Sequence, residues 1–251
     1  SHKLYNKQLE KVFKLDLDLF YKDFGRSITD DISIKYNPKS YKVNKERYLD
    51  SSIQAISIFS GAGGLDIGAQ LAGCKVISCL DFDLDSIKTI QSNNIFSHAE
   101  HLHEDIQNIS ASTYNKVIKK NNPEKIILIG GPPCQPFSKA GYWVTHENRK
   151  GEKDPRNMIG NYLRMIEELK PDGFLLENVE SIMHPKNLST VETIEKYIND
   201  LGYSLMIYKA NSQDFGVPQK RKRVFFFGSK KTIKNTPKPT HGEVDKAQSE
   251  M

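Results

Sequence analysis

Residues 55–66 read Ala-Ile-Ser-Ile-Phe-Ser-Gly-Ala-Gly-Gly-Leu-Asp, a short apolar run that ends in a glycine-rich turn. The run predicts a buried strand, and the glycines would let the backbone turn tightly into a helix over about 65–72. A second apolar run over 75–80 predicts the next strand, which ends at Asp81. An acidic residue at this place can accept hydrogen bonds from ribose hydroxyls. The spacing fits either a dinucleotide or a nucleoside cofactor.

Strand-like and helix-like segments alternate along the rest of the chain. Apolar residues recur at helical spacing over 159–169 and 191–201, and Gly202 is placed to end the second helix. Shorter segments at 126–129, 173–176, 203–209 and 224–227 predict further strands. We therefore expect an α/β fold with a mainly parallel sheet and helices on both faces.

Residues 130–138 read Gly-Gly-Pro-Pro-Cys-Gln-Pro-Phe-Ser and directly follow the strand predicted at 126–129. A cysteine held among glycines and prolines at the carboxyl end of a buried strand has little to pack against. Most isolated cysteines in intracellular proteins are structural. For Cys134 the setting favours a role as a nucleophile.

Two further segments carry charged residues next to predicted strands. Glu177, Asn178 and Val179 follow the strand at 173–176, where Glu177 could also be a helix cap or an ion-pair partner. Residues 215–223 read Phe-Gly-Val-Pro-Gln-Lys-Arg-Lys-Arg and lead into the strand at 224–227. Alternation would place Arg221 and Arg223 on one face. Without context, this basic run could be a solvated surface or a localisation signal.

Taken in order, the four segments resemble the motifs of the cytosine-5 DNA methyltransferase family, and they span residues 59–223. The resemblance implies a Rossmann-like S-adenosylmethionine-dependent methyltransferase fold with a terminal antiparallel strand. It implies that Cys134 adds to carbon 6 of a flipped cytosine in double-stranded DNA. It also implies that Glu177 binds the ring nitrogen and the exocyclic amine, while Arg221 and Arg223 hold phosphate, the cysteine loop and the carbonyl oxygen.

The same resemblance implies S-adenosylmethionine as the cofactor and indicates its contacts. Asp81 would bind the ribose, Phe82 would stack on the adenine, and Asp105-Ile106 would contact the adenine edge. The full set expected to bind the cofactor is Phe59, Gly61, Gly63, Gly64, Leu65, Asp81, Phe82, Asp105, Ile106, Gly131 and Pro133.

Composition agrees with this assignment without deciding it. The net charge of +5 permits nucleic-acid binding but does not require it. The chain has no apolar run of membrane-spanning length and no signal-like start, so we expect no membrane contact and a cytoplasmic, nucleoid-associated prokaryotic protein. The three cysteines form no zinc pattern. His98, His101 and His103, interspersed with acidic residues, are expected to be solvated, and no metal site is predicted.

The motifs divide the chain into an N-terminal extension (1–52), a catalytic domain (53–229) and a basic tail (230–251). The resemblance implies that the polar stretch 139–156, which contains Trp143, is a loop that closes over DNA. A disordered insertion is the alternative for residues 145–154. Family members normally continue with a target-recognition domain and a final cofactor motif, and neither is found here. We therefore expect one subunit of a split enzyme, rather than a cloned fragment or a degenerate homologue.

Three other functions are considered beside DNA methylation. An RNA cytosine-5 methyltransferase would share all four motifs. A non-catalytic regulatory homologue would be expected to have lost Cys134 or the glycine turn, and both are intact. A dinucleotide oxidoreductase would leave the cysteine and arginine motifs unexplained.

Overall fold

A computed structural model describes residues 46–133, 158–233 and 235–241. Within these ranges the strands are β1 (Ile53–Ile58), β2 (Lys75–Asp81), β3 (Glu100–His103), β4 (Lys125–Gly130), β5 (Gly173–Val179), β6 (Ser204–Asn211) and β7 (Lys222–Ser229). They form one seven-stranded sheet in the order β3-β2-β1-β4-β5-β7-β6. The expected α/β sheet is confirmed.

The helices of the described residues are α1 (Glu46–Leu49), α2 (Gly64–Leu71), α3 (Leu84–Ser92), α4 (Asn115–Asn121), α5 (Met158–Leu169) and α6 (Leu188–Asp200). Apolar residues of α4, α5 and α6 share one core cluster with Ile56, Ile58 and Leu128. Residues of α2 and α3 share a second cluster with Ala55, Cys79 and Ile129. Because neighbouring residues of a strand point to opposite faces, these clusters lie on the two sides of the sheet. Helices therefore cover both faces, as predicted.

Strand direction brings one set of loops to a single edge of the sheet. The neighbours β1 and β2, β2 and β3, β1 and β4, and β4 and β5 all pair in parallel. Strand β7 is antiparallel to both β5 and β6. It is the last strand of the described residues, yet it lies inside the sheet between β5 and β6. The amino end of β7 therefore lies beside the carboxyl end of β5, with Arg223 opposite Val179.

Two local expectations are corrected. Strand β5 extends to Val179, so Glu177 and Asn178 lie within the strand rather than after it. The histidine segment forms β3, an edge strand paired with β2. His101 is not simply solvated, because its Nε2 lies 3.1 Å from the Phe96 carbonyl oxygen and burial lowers its pKa. The sequence pattern does not predict this strand because β3 is short and polar and is ordered mainly by its pairing with β2.

Burial along β5 and β7 differs between the two faces of the sheet. Phe174, Leu176, Asn178, Val224 and Phe226 are buried. The alternating positions, Leu175, Glu177, Arg223, Phe225 and Phe227, are only half-buried. This second face of β5 and β7 is therefore the less covered one, and it carries both apolar and charged side chains.

Candidate active site

The glycine-rich turn after β1 has an unusual backbone. Phe59, Gly61 and Gly63 have φ angles of 57°, 53° and 85°. A left-handed conformation at a bulky non-glycine residue such as Phe59 costs about 1 kcal/mol and is uncommon. At Gly63 an added Cβ would lie 2.9 Å from Cε2 of Phe96. Only glycine therefore fits position 63, directly before α2.

Asp81, at the end of β2, is tied to this turn. Its Oδ2 accepts a hydrogen bond from the Gly61 amide (2.7 Å) and its Oδ1 accepts one from the Asp83 amide (2.8 Å). Each carboxylate oxygen keeps a further lone pair that could accept a ligand hydroxyl. The next side chain, Phe82, is 75% exposed, so its ring is available for stacking. The structure thus places the predicted ribose and adenine contacts side by side.

Asp105 begins the turn that follows β3. Its Oδ1 accepts from the Gln107 amide at 2.9 Å and caps the 3-10 turn Ile106–Asn108. Ile106 is only 2% exposed, because its side chain packs into the core. Any contact that Ile106 makes with a cofactor must therefore come from its backbone.

Glu177 and Arg223 form an ion pair. Arg223 Nε donates to Glu177 Oε1 at 2.8 Å, and the two side chains are 21% and 23% exposed. The pair is possible because Glu177 lies diagonally across β5 and β7 from Arg223, within reach of long side chains. Arg223 is held further by donation from its Nη1 to the Lys222 carbonyl at 2.8 Å. Glu177 is thus an ion-pair member, and its partner is another of the predicted catalytic residues.

Strand β5 also holds the backbone that leads to Cys134. The side chain of Asn178, 2% exposed, donates from Nδ2 to the Pro132 carbonyl at 3.1 Å and accepts from the Val179 amide at 2.9 Å. A Cβ at Gly131 would lie 3.1 Å from Glu177 Oε2, so glycine allows this close approach. Pro133 is exposed. Cys134 lies outside the described residues, as do Trp143 and the rest of the predicted closing loop.

Arg221 precedes β7 rather than lying in it. Its amide donates to Asn211 Oδ1 at 3.2 Å, and its carbonyl accepts from the Ser212 amide at 3.1 Å. The side chain is exposed but lines the same cleft as Arg223. The tail also returns to this region, since the amides of Thr240 and His241 both donate to the Asp214 carbonyl at 2.9 Å.

A cleft of about 600 Å³ unites much of the predicted site. Its predicted members are Phe59, Gly64, Leu65, Gly131, Glu177, Arg221 and Arg223. Its other lining residues are mostly apolar: Leu175, Tyr208, Ala210, Ser212, Phe215, Val217, Phe225, Phe227 and Pro237. The lining does not include Gly61, Gly63, Asp81, Phe82, Asp105, Ile106 or Pro133.

The sequence patterns did not identify Asn178, or the aromatic lining residues other than Phe59, as site residues. One signal for the lining was present. Arg223, Phe225 and Phe227 alternate with buried residues at the period of a strand, so the two aromatic rings had to share a face with the arginine.

Comparison with known proteins decides the family, because residues 53–250 match the sequence model for C-5 cytosine-specific DNA methylases. The chain belongs to this family.

Several family members are similar over most of this chain. It is 34% identical over 182 residues to the type II methyltransferase M.FnuDI from Fusobacterium nucleatum, a match that covers 72% of this chain and 48% of the relative. It is 35% identical over 204 residues to the type II methyltransferase M.AquIA from Picosynechococcus sp., covering 77% and 79%. The chain thus spans about half the length of M.FnuDI but most of the length of M.AquIA.

A solved structure is also similar over most of this chain and over about half of its own length. The crystal structure of a proposed DNA modification methyltransferase encoded within a prophage of E. coli superposes with a TM-score of 0.56 at 30% identity. The match covers 70% of this chain and 46% of that one. Together with the strand order, this superposition confirms the predicted methyltransferase fold.

Membership of the C-5 cytosine-specific methylase family makes S-adenosylmethionine the expected cofactor, and the described residues fit it. The turn at 59–63 presents the first amides of α2, which have no partner within the helix. Asp81 offers carboxylate oxygens for hydroxyls, and Phe82 offers an exposed ring. In the part of the chain that the structure describes, no group of three or more metal-ligating side chains is found. None of the described helices has the length and apolar character needed to cross a bilayer.

Proposed function

We propose that this protein methylates carbon 5 of cytosine in duplex DNA through a covalent adduct of Cys134, as a type II modification enzyme that works with a second polypeptide. One observation carries the proposal above all. The Glu177–Arg223 ion pair lines the cleft beside the backbone that leads to Cys134, and Phe59, Gly64 and Leu65 line the same cleft. A carboxylate and a cation thus meet at the edge of the sheet where the segment that leads to Cys134 begins.

The chemistry requires this combination because carbon 5 of cytosine is a poor nucleophile. When the Cys134 thiolate forms a bond to carbon 6, the electron pair of the 5,6 double bond becomes available at carbon 5. S-adenosylmethionine, when bound, would supply an electrophilic sulfonium methyl group to carbon 5, with S-adenosylhomocysteine as the leaving group. Loss of the proton from carbon 5 to a base then re-forms the double bond, breaks the bond between sulfur and carbon 6, and restores the thiolate. The target base must leave the stacked duplex to be reached in this way.

Glu177 and Arg223 would bind and stabilise the base during this sequence. Negative charge develops toward ring nitrogen 3 and the carbonyl oxygen once the thiolate has added. The Arg223 guanidinium, held at Nε and Nη1, would place a fixed positive charge beside that oxygen. The Glu177 carboxyl group would contact ring nitrogen 3 and the exocyclic amine. Arg221, on the rim, is proposed to contact the cysteine loop and DNA phosphate.

The cofactor would be held at the neighbouring strand ends. The turn residues Phe59, Gly61, Gly63, Gly64 and Leu65 would surround its amino-acid part next to α2. Asp81 would accept from the ribose hydroxyls, and Phe82 with the Asp105-Ile106 turn would enclose the adenine. Gly131 and Pro133 would form the boundary with the cysteine loop. These roles follow the family resemblance, and the described geometry supports them at Asp81 and Phe82.

The proposal of a second polypeptide rests on the less covered face of the sheet. On the sheet, Tyr208, Phe225 and Phe227 are half-buried and line the cleft. We propose that the partner packs an apolar segment over these aromatic residues and supplies target recognition. We expect the assembled enzyme to work at the bacterial nucleoid.

The catalytic proposal is tested with Cys134→Ser. This variant should bind S-adenosylmethionine as the wild type does but lose methyl transfer, because the thiolate acts on the base. A duplex with 5-fluorocytosine should trap a covalent adduct with the wild type in the presence of its partner, and none with the serine variant. Full activity of the serine variant would refute the covalent mechanism. Methylation of tRNA in preference to duplex DNA would support the RNA enzyme instead.

The partner is tested separately. Incorporation of tritiated methyl groups into genomic DNA is measured at low salt with the chain alone, and again with the product of a neighbouring reading frame that encodes a recognition domain. We expect little activity from the chain alone, since phosphate contacts by themselves give weak, salt-sensitive binding. Robust, site-specific methylation by the single chain would refute the need for a partner.

A further inference from the structure

Helix α5 holds the turn that follows β3. Arg164 of α5 donates from Nη2 to the Ile106 carbonyl at 2.8 Å and from Nη1 to the Ile109 carbonyl at 2.9 Å. These contacts join residues 58 and 55 positions apart in the chain. The planar guanidinium can make both bonds at once, which a lysine could not do with the same geometry.

Glu168, one helical turn later, completes the network. Its Oε1 accepts from Arg164 Nη1 at 2.8 Å, and its Oε2 accepts from the Ala111 amide at 2.9 Å. The two side chains are 23% and 33% exposed, so water screens them only in part. Charge-assisted hydrogen bonds of this kind are shorter and stronger than neutral ones. The segment 106–111 is thus fixed at three backbone points by two side chains.

Because a peptide unit is planar, fixing one of its groups fixes the other. The carbonyl of Ile106 and the amide of Gln107 belong to the same unit. Arg164 holds that carbonyl, and the amide on the opposite side donates to Asp105 Oδ1 at 2.9 Å. The orientation of the Asp105 carboxylate therefore depends on Arg164, although the two side chains do not bond to each other. A 3-10 turn of three residues has little stability of its own to supply this constraint.

We propose that Arg164 and Glu168 are positioning residues that set the selectivity of the cofactor site for adenine by orienting Asp105. This rests on the proposed function, in which Asp105 contacts the adenine edge. A carboxylate oxygen accepts a hydrogen bond from the 6-amino group of adenine. The same oxygen meets a carbonyl oxygen in the hypoxanthine ring and is repelled. Discrimination between the two bases thus reports the orientation of Asp105.

The test compares binding of S-adenosylhomocysteine and S-inosylhomocysteine to the full chain by calorimetry. We expect the wild type to prefer the adenosyl compound. In Arg164→Met the ratio of the two affinities should fall about tenfold, as expected when a hydrogen bond to a charged group is lost, while inosyl binding stays nearly unchanged. In Glu168→Gln the ratio should fall less, because an acceptor for Arg164 remains.

Glu167→Gln serves as the matched control. Glu167 is the neighbouring residue of the same helix, but its Oε2 accepts from the Tyr197 hydroxyl at 2.7 Å. This variant should keep the wild-type ratio. If Glu168→Gln, or a folded Arg164→Met, weakens both compounds equally, the network is merely structural and the inference is wrong. If the wild type binds neither compound, the proposed function is wrong, and this inference is wrong with it. That outcome differs from one in which the wild type binds both compounds and the variants leave the affinity ratio unchanged.

Discussion

Asn178→Ala should destabilise the protein strongly, although it removes only one buried side-chain amide. The Asn178 side chain links β5 to the Gly-Pro-Pro segment, since Nδ2 donates to the buried Pro132 carbonyl and Oδ1 accepts from the Val179 amide. Alanine leaves both the Pro132 carbonyl and the Val179 amide without their side-chain partner. Water cannot replace the donor at Pro132 without opening the junction, because Asn178 is 2% exposed and Pro132 is buried.

The expected cost follows from the two groups left unpaired. A buried polar group that loses its partner costs about 1–3 kcal/mol. The Pro132 carbonyl should lie in the middle of that range, and the Val179 amide at its low end because Val179 is only half-buried. We therefore expect the free energy of unfolding to fall by about 3 kcal/mol. Urea titration followed by circular dichroism measures this, and the denaturant slope should not change.

Asn187→Ala is the matched control. Asn187 Nδ2 also donates to a backbone carbonyl, that of Ser181 at 2.8 Å, but this bond is exposed. Its loss should cost no more than about 0.5 kcal/mol. Equal costs for the two variants would refute the argument that Asn178 anchors the segment. Because Pro132 precedes Cys134 by two residues, a displacement of about 1 Å there should also reduce methyl transfer about 100-fold under conditions where the variant remains folded.

Three further predictions concern the sheet, the glycine turn and helix α2. The fully buried Tyr162 hydroxyl bridges the carbonyls of Leu128 and Leu175. Tyr162→Phe should therefore lower the free energy of unfolding by about 1–2 kcal/mol in urea titration. An unchanged midpoint would contradict this bridge. Gly63→Ala should lower the melting temperature, because the added Cβ strains the backbone and contacts Phe96. Gly64→Ala should not lower it, because its Cβ meets nothing within 4 Å. Equal melting temperatures would show that the turn tolerates a Cβ at both places. Burial raises the pKa of Asp66, so the folded state binds its proton more tightly than the unfolded chain and stability should fall as the pH rises above about 4. Asp66→Asn should remove this part of the slope in titrations between pH 3 and 7, and an identical slope would show that Asp66 does not cause it.

Local patterns in the sequence were sufficient to predict most of the strands and the longer helices. The helical spacing at 159–169 and 191–201 predicts α5 and α6 within a few residues, and the apolar runs predict β1, β2 and β4. These patterns succeed because burial of one face, or of both, imposes a period on the chain. Strand β3 escaped prediction, since Glu100–His103 is short, polar and ordered mainly by its pairing with β2.

Motif order in the sequence indicated the family and the residue types of the site, but it could not show which of those residues touch. Glu177 meets Arg223 only because β7 enters the sheet antiparallel beside β5, across 46 residues of chain. Asn178 reaches Pro132, and Arg164 reaches Ile106, for the same kind of reason. Such contacts depend on strand order and on the packing of helices against the sheet, which no local pattern encodes. The sequence by itself therefore determined the chemistry available to this protein, and the tertiary structure decided how its site is held in place.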